Sequence, residues 1–223
     1  MAFKKKIYNF ILLGPQGCGK GTQARLLLNK FKNLSYISSG DLFRKLSNQD
    51  SDAGKRVKKV VNSGGLPIDD IAITLWMHEI LFNVKVRQGI LLDGAPRRVS
   101  ESKDLNELFD FLERKKNTIV FIIDISEEES IGRLTKRRMC KKCGQIIPWV
   151  GKYKELKRCD KCGGGLIKRI DDDIDGIKMR LKLYKEQTVP AINYLKEKKF
   201  KVTIINGEQS IENVFKDILN NVR

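Results

Sequence analysis

The stretch Phe10-Ile-Leu-Leu-Gly-Pro-Gln-Gly-Cys-Gly-Lys-Gly-Thr22 passes from apolar to glycine-rich and then presents one lysine. Gly14, Gly17 and Gly19 let backbone N–H groups curl around an anion. Lys20 adds a full positive charge, and a helix opening at Gln23 and Ala24 adds a partial one. A glycine-rich turn between a strand and a helix, ending in G-K, is the context in which phosphate oxygens are cradled. One feature departs from the common form. Gly21 follows the lysine where a hydroxyl residue usually meets magnesium, and Thr22 comes one place late. A metal on the phosphates would then rest on phosphate oxygens, water and a nearby carboxylate. Cys18, inside the loop, reads as a small packing residue.

A second constellation is Cys140-Lys-Lys-Cys143 with Cys159-Asp-Lys-Cys162, a C-x2-C-x15-C-x2-C spacing with Gly144 and Gly163 behind the pairs. Each tight turn holds two thiolates about 3.5–4 Å apart, two corners of a tetrahedron. Two such knuckles make a closed site of four thiolates, hence structural rather than catalytic, for Zn2+ or another thiophilic metal. Disulfide redox chemistry calls for one pair beside a strand–helix–strand unit, not two pairs in a glycine-rich insertion.

These groups need a frame. Short β-branched runs at Ile7–Leu13, Ile90–Asp93, Ile119–Ile125 and Val202–Ile205 read as buried strands, with a weaker one at Leu34–Ser38. Helical spacing joins Ala24, Leu27, Leu28 and Phe31, then Leu105, Leu108, Phe109 and Leu112. It recurs in Ile211, Val214, Phe215, Ile218, Leu219 and Val222. Strands alternating with helices predict a parallel α/β sheet. Residues 38–68 read as polar helix, and 139–168 carry no helical period. His78 lies in an apolar helical pattern and is given no role.

With 223 residues the chain suits one core domain with insertions. No apolar run approaches the roughly 18 residues of a membrane span. The apolar patch after the first lysines is short and runs straight into the glycine loop, so a cytoplasmic protein is expected. A net charge of +17 draws polyanions. It leaves open a zinc-ribbon nucleic-acid-binding ATPase, although the insertion offers only Trp149 and Tyr153 for stacking on bases.

Together these pieces resemble adenylate kinase in its long form with a zinc-bearing lid, over nearly the whole chain. Ser38-Ser-Gly-Asp-Leu-Phe-Arg44 is similar to the family's S-T-G-D-x-x-R, and Gly64-Gly-Leu-Pro67-Ile-Asp69 to its G-x-L-V-x-D. Leu92-Asp-Gly-Ala-Pro-Arg97 resembles D-G-F-P-R. Arg133 and Arg137 form an R-x-x-x-R pair. Arg169-Ile-Asp-Asp172, Arg180-Leu-Lys-Leu-Tyr184 and Thr188-Val-Pro190 follow in the expected order.

The resemblance implies a P-loop nucleoside monophosphate kinase. Its core of five parallel strands would comprise 1–37, 68–136 and 171–223, with a helical flap at 38–67 for the monophosphate and a four-cysteine zinc lid at 137–170. It implies transfer of a phosphoryl group from Mg2+-bound ATP to AMP, giving ADP, by a chain expected to be a monomer without nucleic-acid or membrane partners. ATP would meet Gly14, Gly17, Cys18, Gly19, Lys20, Gly21, Thr22, Arg133 and Arg137. AMP would meet Ser39, Arg44, Pro67, Gly94, Arg97, Glu101, Arg169 and Arg180. The catalytic charges would be Lys20, Arg97, Arg133, Arg169 and Arg180, with Asp93 holding magnesium through water unless it serves as a structural salt bridge.

One position departs from the family. Its T-x-x-Q glutamine, whose amide pairs with adenine, is here Glu101, and Ala95 replaces a phenylalanine. An ionised Glu101 accepts from the adenine amine but repels the N1 lone pair; guanine, with two donors, suits a carboxylate better. Glu101 turned to solvent, or Ser100 or a water serving N1, are the alternatives. AMP with weakened discrimination is the expectation, and another acceptor such as GMP the alternative.

Overall fold

The computed structural model describes residues 7–168 and 172–222. Strand β1 (Asn9–Leu13) leads through the glycine loop into α1 (Lys20–Lys30), and β2 (Leu34–Ser38) follows. Next come α2 (Ser39–Ser47), α3 (Asp52–Asn62) and α4 (Asp69–His78), the last continuing as a wider turn over Glu79–Asn83. Then β3 (Gly89–Asp93), α5 (Val99–Phe111), β4 (Thr118–Asp124) and α6 (Glu127–Lys136) alternate. Short strands β5 (Arg138–Cys140), β6 (Ile146–Ile147) and β7 (Leu166–Ile167) precede α7 (Ile174–Leu183). After α7, α8 (Val189–Glu197), β8 (Lys201–Asn206) and α9 (Ile211–Asn220) complete the chain.

The five longer strands form one parallel sheet in the order β2-β3-β1-β4-β8. From β1 the chain moves outward one way to β2, returns to β3, and then crosses to β4 on the other side. The loops after β1 and β3 therefore meet at a switch point, where ligands of open α/β sheets bind. Register makes this specific: Leu12 and Ser38 both pair with Asp93, so three strands end level.

Alternate strand residues feed two cores, as a sheet covered on both faces requires. Ile11, Leu13, Ile90, Leu92, Val120 and Ile122 face α4, α5 and α8 through Trp76, Leu105, Phe109 and Leu195. Phe10, Leu12, Leu91, Phe121 and Ile123 face α1 and α9 through Ala24, Leu27, Val214 and Ile218. Two small cores stand apart. Phe43, Val57 and Ala72 hold α2, α3 and α4 together; Leu134, Ile177 and Leu181 join α6 to α7.

The expected strands are present with shifted ends: the first starts at Asn9 rather than Ile7, and the fourth stops at Asp124 before Ile125. The second and fifth, expected to be buried, lie at the sheet's edges and are only partly buried. Helix α1 starts at Lys20, three residues earlier than expected, because the N–H groups of Thr22 and Gln23 both donate to the Gly19 carbonyl (2.9 and 3.1 Å). Lys20 is thus the first helical residue. The insertion at 139–168 is a three-stranded antiparallel sheet, β6-β5-β7, with a short helical turn at Gly151–Glu155. Among the described residues no helix is long and apolar enough to cross a membrane.

Phe121 is fully buried in the central strand β4 and packs on Phe10 with ring centroids 6.1 Å apart. Phe121→Ala should cost about 3–5 kcal/mol of unfolding free energy, measured by chemical denaturation.

Candidate active site

The loop after β1 is built from positive backbone angles: Gly14, Gly17 and Gly19 have φ of 140°, 84° and 99°. At Gly14 sterics add to conformation, since a Cβ there would stand 2.2 Å from the Ile123 carbonyl oxygen. Helix α1 carries no acidic residue in its first turn and no side-chain cap at Gly19, so its N-terminal dipole faces the loop uncancelled. Gly21 and Thr22 lie in that first turn. Lys20 folds back across the loop, its Nζ donating to the carbonyls of Gly14 (2.8 Å) and Pro15 (2.9 Å) and lying 3.4 Å from Cys18 Sγ. Cys18 itself is buried beside Ala24 and Leu27, the packing role expected of it.

Helix α6 braces this loop from the far side. Ser130 Oγ donates to the Gln16 carbonyl (2.5 Å), and Arg133 donates to Glu129 (2.7 Å) and to the carbonyls of Gly207 (2.9 Å) and Gly17 (3.4 Å). Arg133 is therefore already oriented along the loop's edge.

The second wall follows β3. Asp93 is buried at the strand's end and accepts from Tyr36 Oη (2.9 Å). A Cβ on Gly21 would lie 3.9 Å from Asp93 Oδ2, so this carboxylate adjoins the start of α1. Burial pushes its acid up, while Lys20 and the Tyr36 hydroxyl pull it back. Burial and the Asp93 carboxylate push the Tyr36 phenol up in turn, keeping it a donor. The donor set suits a hard divalent cation: one carboxylate at the mouth of the phosphate loop.

Beyond Asp93, Arg97 Nε donates to the Gly94 carbonyl (2.7 Å) and its Nη2 to Ser39 Oγ (3.1 Å). Ser39 Oγ donates to that same carbonyl (2.8 Å). Burial lowers the Arg97 guanidinium, and Glu101 and Asp93 support its charge. A narrow cleft opens here between Phe43, Leu66, Pro67, Ala72 and Glu101, with Ser39, Gly94 and Arg97 at its polar end. Glu101 is only 4% exposed, which corrects the alternative that it turns to solvent; Phe43, Leu66 and Pro67 line the same cleft. Ser100 donates to Asp69, so its hydroxyl is engaged there. Arg44 pairs with Asp41 at 2.5 Å on the exposed side of α2.

A third group lies between α6 and α7. Arg137 grips both oxygens of Asp172 (2.6 and 2.7 Å), and Arg180 Nη2 donates to the same carboxylate (2.9 Å). Asp172 has no exposed surface. Arg169, expected to complete this group, lies outside the described residues.

The four cysteines converge. Cys140 and Cys162 sulfurs are 3.5 Å apart, those of Cys143 and Cys159 3.7 Å, and all four lie within 4.8 Å of one another. A tetrahedral Zn–S distance of about 2.3 Å demands sulfur separations of about 3.8 Å, so the cluster fits such an ion. Each knuckle is closed by a backbone bond, Gly144 N–H to the Cys140 carbonyl (3.0 Å) and Gly163 N–H to that of Cys159 (2.9 Å). The Cys143 N–H draws the Cys140 thiol down to about 6.

Three residues of the site were not singled out from the sequence. Tyr36 holds Asp93 from the neighbouring strand. Arg98 ties the Pro67 carbonyl (2.8 Å), Asp69 and Gln187 (2.7 Å) into one joint. Asp172 was visible as part of a motif, but its role as the shared acceptor for two arginines depends on the packing of α6 on α7. Removing that acceptor takes three charge-assisted hydrogen bonds out of a buried place. Asp172→Ala should therefore lower stability by about 3–5 kcal/mol, with Asp172→Asn less severe, as read by thermal and urea unfolding.

Comparison with known proteins fits this geometry. A sequence profile of the family described as adenylate kinase matches residues 12–200, from the end of β1 to the turn before β8. An adenylate kinase of Thermosipho africanus is 34% identical over 96% of this chain and 99% of its own length. One from Archaeoglobus fulgidus is 35% identical over 94% and 95%, and one from Treponema denticola 41% over 88% and 90%. The match takes in the phosphate loop, the arginine-bearing cleft and the cysteine insertion alike, and on that ground this chain belongs to the adenylate kinase family.

Proposed function

We propose that the chain moves the terminal phosphoryl group of ATP to AMP, leaving two ADP, in the cleft between the phosphate loop and the Ser39–Gly94–Arg97 cluster. The observation that carries this reading is the level ending of β1, β2 and β3, which sets a donor-phosphate cradle beside an arginine-floored pocket. An oxygen of the AMP phosphate attacks the γ-phosphorus in line. The new O–P bond forms as the bond from that phosphorus to the β,γ-bridging oxygen breaks, and the bridging oxygen leaves with the other ADP. No side-chain nucleophile is needed; alignment and compensation of spreading negative charge do the work.

Lys20 and the amides of Gly14, Gly17, Cys18, Gly19 and Gly21 would hold the donor phosphates, with Thr22 on the inner one. Arg44 and Arg97 would hold the acceptor's phosphate, with Ser39, Pro67 and Gly94 shaping its pocket. Arg133 and Arg137 would face the donor, and Arg169 and Arg180 the group in transfer. Asp93 would hold Mg2+ through water; bound with ATP, the ion neutralises phosphate charge. Residues 38–67 would act as a flap over AMP and 137–170 as a lid over ATP, each closing to exclude water that would otherwise take the phosphoryl group. Each has its own footing: a small core of Phe43, Val57 and Ala72 for the flap, and a Zn2+ on Cys140, Cys143, Cys159 and Cys162 for the lid. That zinc would be structural, one per chain. All the groups lie in one chain, so a monomer suffices.

A coupled phosphotransfer assay with ATP and AMP, free of nucleic acid, tests the reading. Turnover should be seen, and Lys20→Met should remove about 10²–10³-fold of it without unfolding the protein, by analogy with a lost oxyanion donor. Near-normal turnover by folded Lys20→Met would sink the loop's assignment.

Metal analysis of the reduced protein should find about one zinc. Cys143→Ser should lower the Tm more than it lowers activity at low temperature, since the metal supports the lid's fold and not the reaction.

A further inference from the structure

Glu101 stands in the first turn of α5, four residues after Arg97, which precedes the helix, and is 4% exposed. The cleft it lines has an apolar part, Phe43, Leu66, Pro67 and Ala72, and a polar part, Ser39, Gly94, Arg97 and Arg98. A carboxylate set against the apolar part loses hydration with little return. Burial pushes the Glu101 acid up, and Asp69, at the start of α4, pushes the same way. Against this act the Arg97 guanidinium, the Arg97 backbone N–H and, more weakly, Arg98. Both arginines have other engagements: Arg97 on Gly94 and Ser39, Arg98 on Asp69, Pro67 and Gln187. Helix α2 presents the uncharged Ser39 and Phe43 to this cleft, and the charges of Arg44 and Arg180 are felt at Arg97. On the reading that AMP binds here, its phosphate would set negative charge on Arg97 and cancel the main influence favouring ionised Glu101.

We propose that Glu101 reads adenine as a neutral carboxylic acid, its O–H donating to N1 and its C=O accepting from the N6 amine. In that form it presents one donor and one acceptor, as an amide does. Ionised, it presents acceptors only: it repels N1 of adenine but still meets the N1–H and N2 amine of guanine. The proton on one side chain thus sets which purine the cleft prefers. Rising pH should weaken AMP relative to GMP, because adenine loses its donor while guanine gains an acceptor. AMP binding should also draw a proton onto Glu101 wherever the free chain holds it ionised.

The test is kcat/KM for AMP and for GMP, with ATP as donor, on the intact chain between about pH 6 and 8.5. Phosphate ionisation is common to both acceptors and cancels in their ratio. In the wild type the AMP-to-GMP ratio should fall with pH, steepening to about tenfold per pH unit once Glu101 ionises. In Glu101→Gln, whose amide keeps its donor at every pH, the ratio should stay level and high. Calorimetry of AMP binding in buffers of different ionisation enthalpy, above about pH 7.5 where the phosphate is fully charged, should show proton uptake by the wild type in excess of that by Glu101→Gln. A level wild-type ratio, a slope that survives in Glu101→Gln, or equal proton uptake overturns the proposal while leaving phosphotransfer to AMP intact. Absence of AMP turnover at every pH overturns the phosphotransfer reading itself.

Discussion

Parallel pairing sends every strand of this sheet out of the same edge, and the register Leu12↔Asp93↔Ser38 brings three of them out at one height. Everything in the cleft hangs on that level. The glycine loop leaves β1, Asp93 and Arg97 follow β3, and Ser39 follows β2. A one-residue slip of β3 would move Asp93 off the Tyr36 hydroxyl, and with the period of two in a strand it would turn the buried face of β3 toward the wrong core. Leu91 packs on one side of the sheet and Ile90 and Leu92 on the other, so the two cores together enforce the register that the site needs.

The segments that cover this edge are built differently from the sheet beneath. Residues 39–62 pack around Phe43, Val57 and Ala72, and the cysteine sheet has strands of only two or three residues, too short to hold themselves. Four converging sulfurs take the place a hydrophobic core would fill. The small core around Phe43 and Val57 meets the large one through α4, which gives Ala72 to the first and Trp76 to the second.

Much of this was legible in the sequence, for identifiable reasons. Buried parallel strands need unbroken apolar runs, and Ile90–Asp93 could be read from one almost to the residue, while the edge strand Leu34–Ser38 gave a weaker signal because it is only partly buried. The phosphate loop and the cysteine knuckles are local geometries, so their spacing carries their chemistry. What the sequence hid depends on partners far along the chain. Tyr36 looked like one more strand residue until β2 lay beside β3 and its hydroxyl met Asp93. Arg98 and Asp172 are joints between elements, and nothing local marks them as such. Glu101 is the sharpest instance. The resemblance set it at the acceptor base, with solvent as an alternative, and only the folded chain shows it buried in a cleft that Phe43, Leu66 and Pro67 also line. The start of α1 was missed by three residues because a turn closing on Gly19 leaves no mark in hydrophobic period.

Lys20 directs its charge at the carbonyls of Gly14 and Pro15, and Arg97 at Gly94 and Ser39. On the proposed reading, a phosphate reaching Lys20 and Arg97 would displace these internal hydrogen bonds, so its own bonds to the two side chains would replace ones the protein already had. Net grip would then be modest, in the way a hydrogen bond exchanged for another contributes far less than one made from nothing. For a reaction whose substrates and products are all nucleotides of similar charge, that exchange has a kinetic meaning. A cradle that held phosphate with its full force would keep its product, while one that resumes its own hydrogen bonds as the product departs lowers the barrier to release and lets the reaction run in either direction.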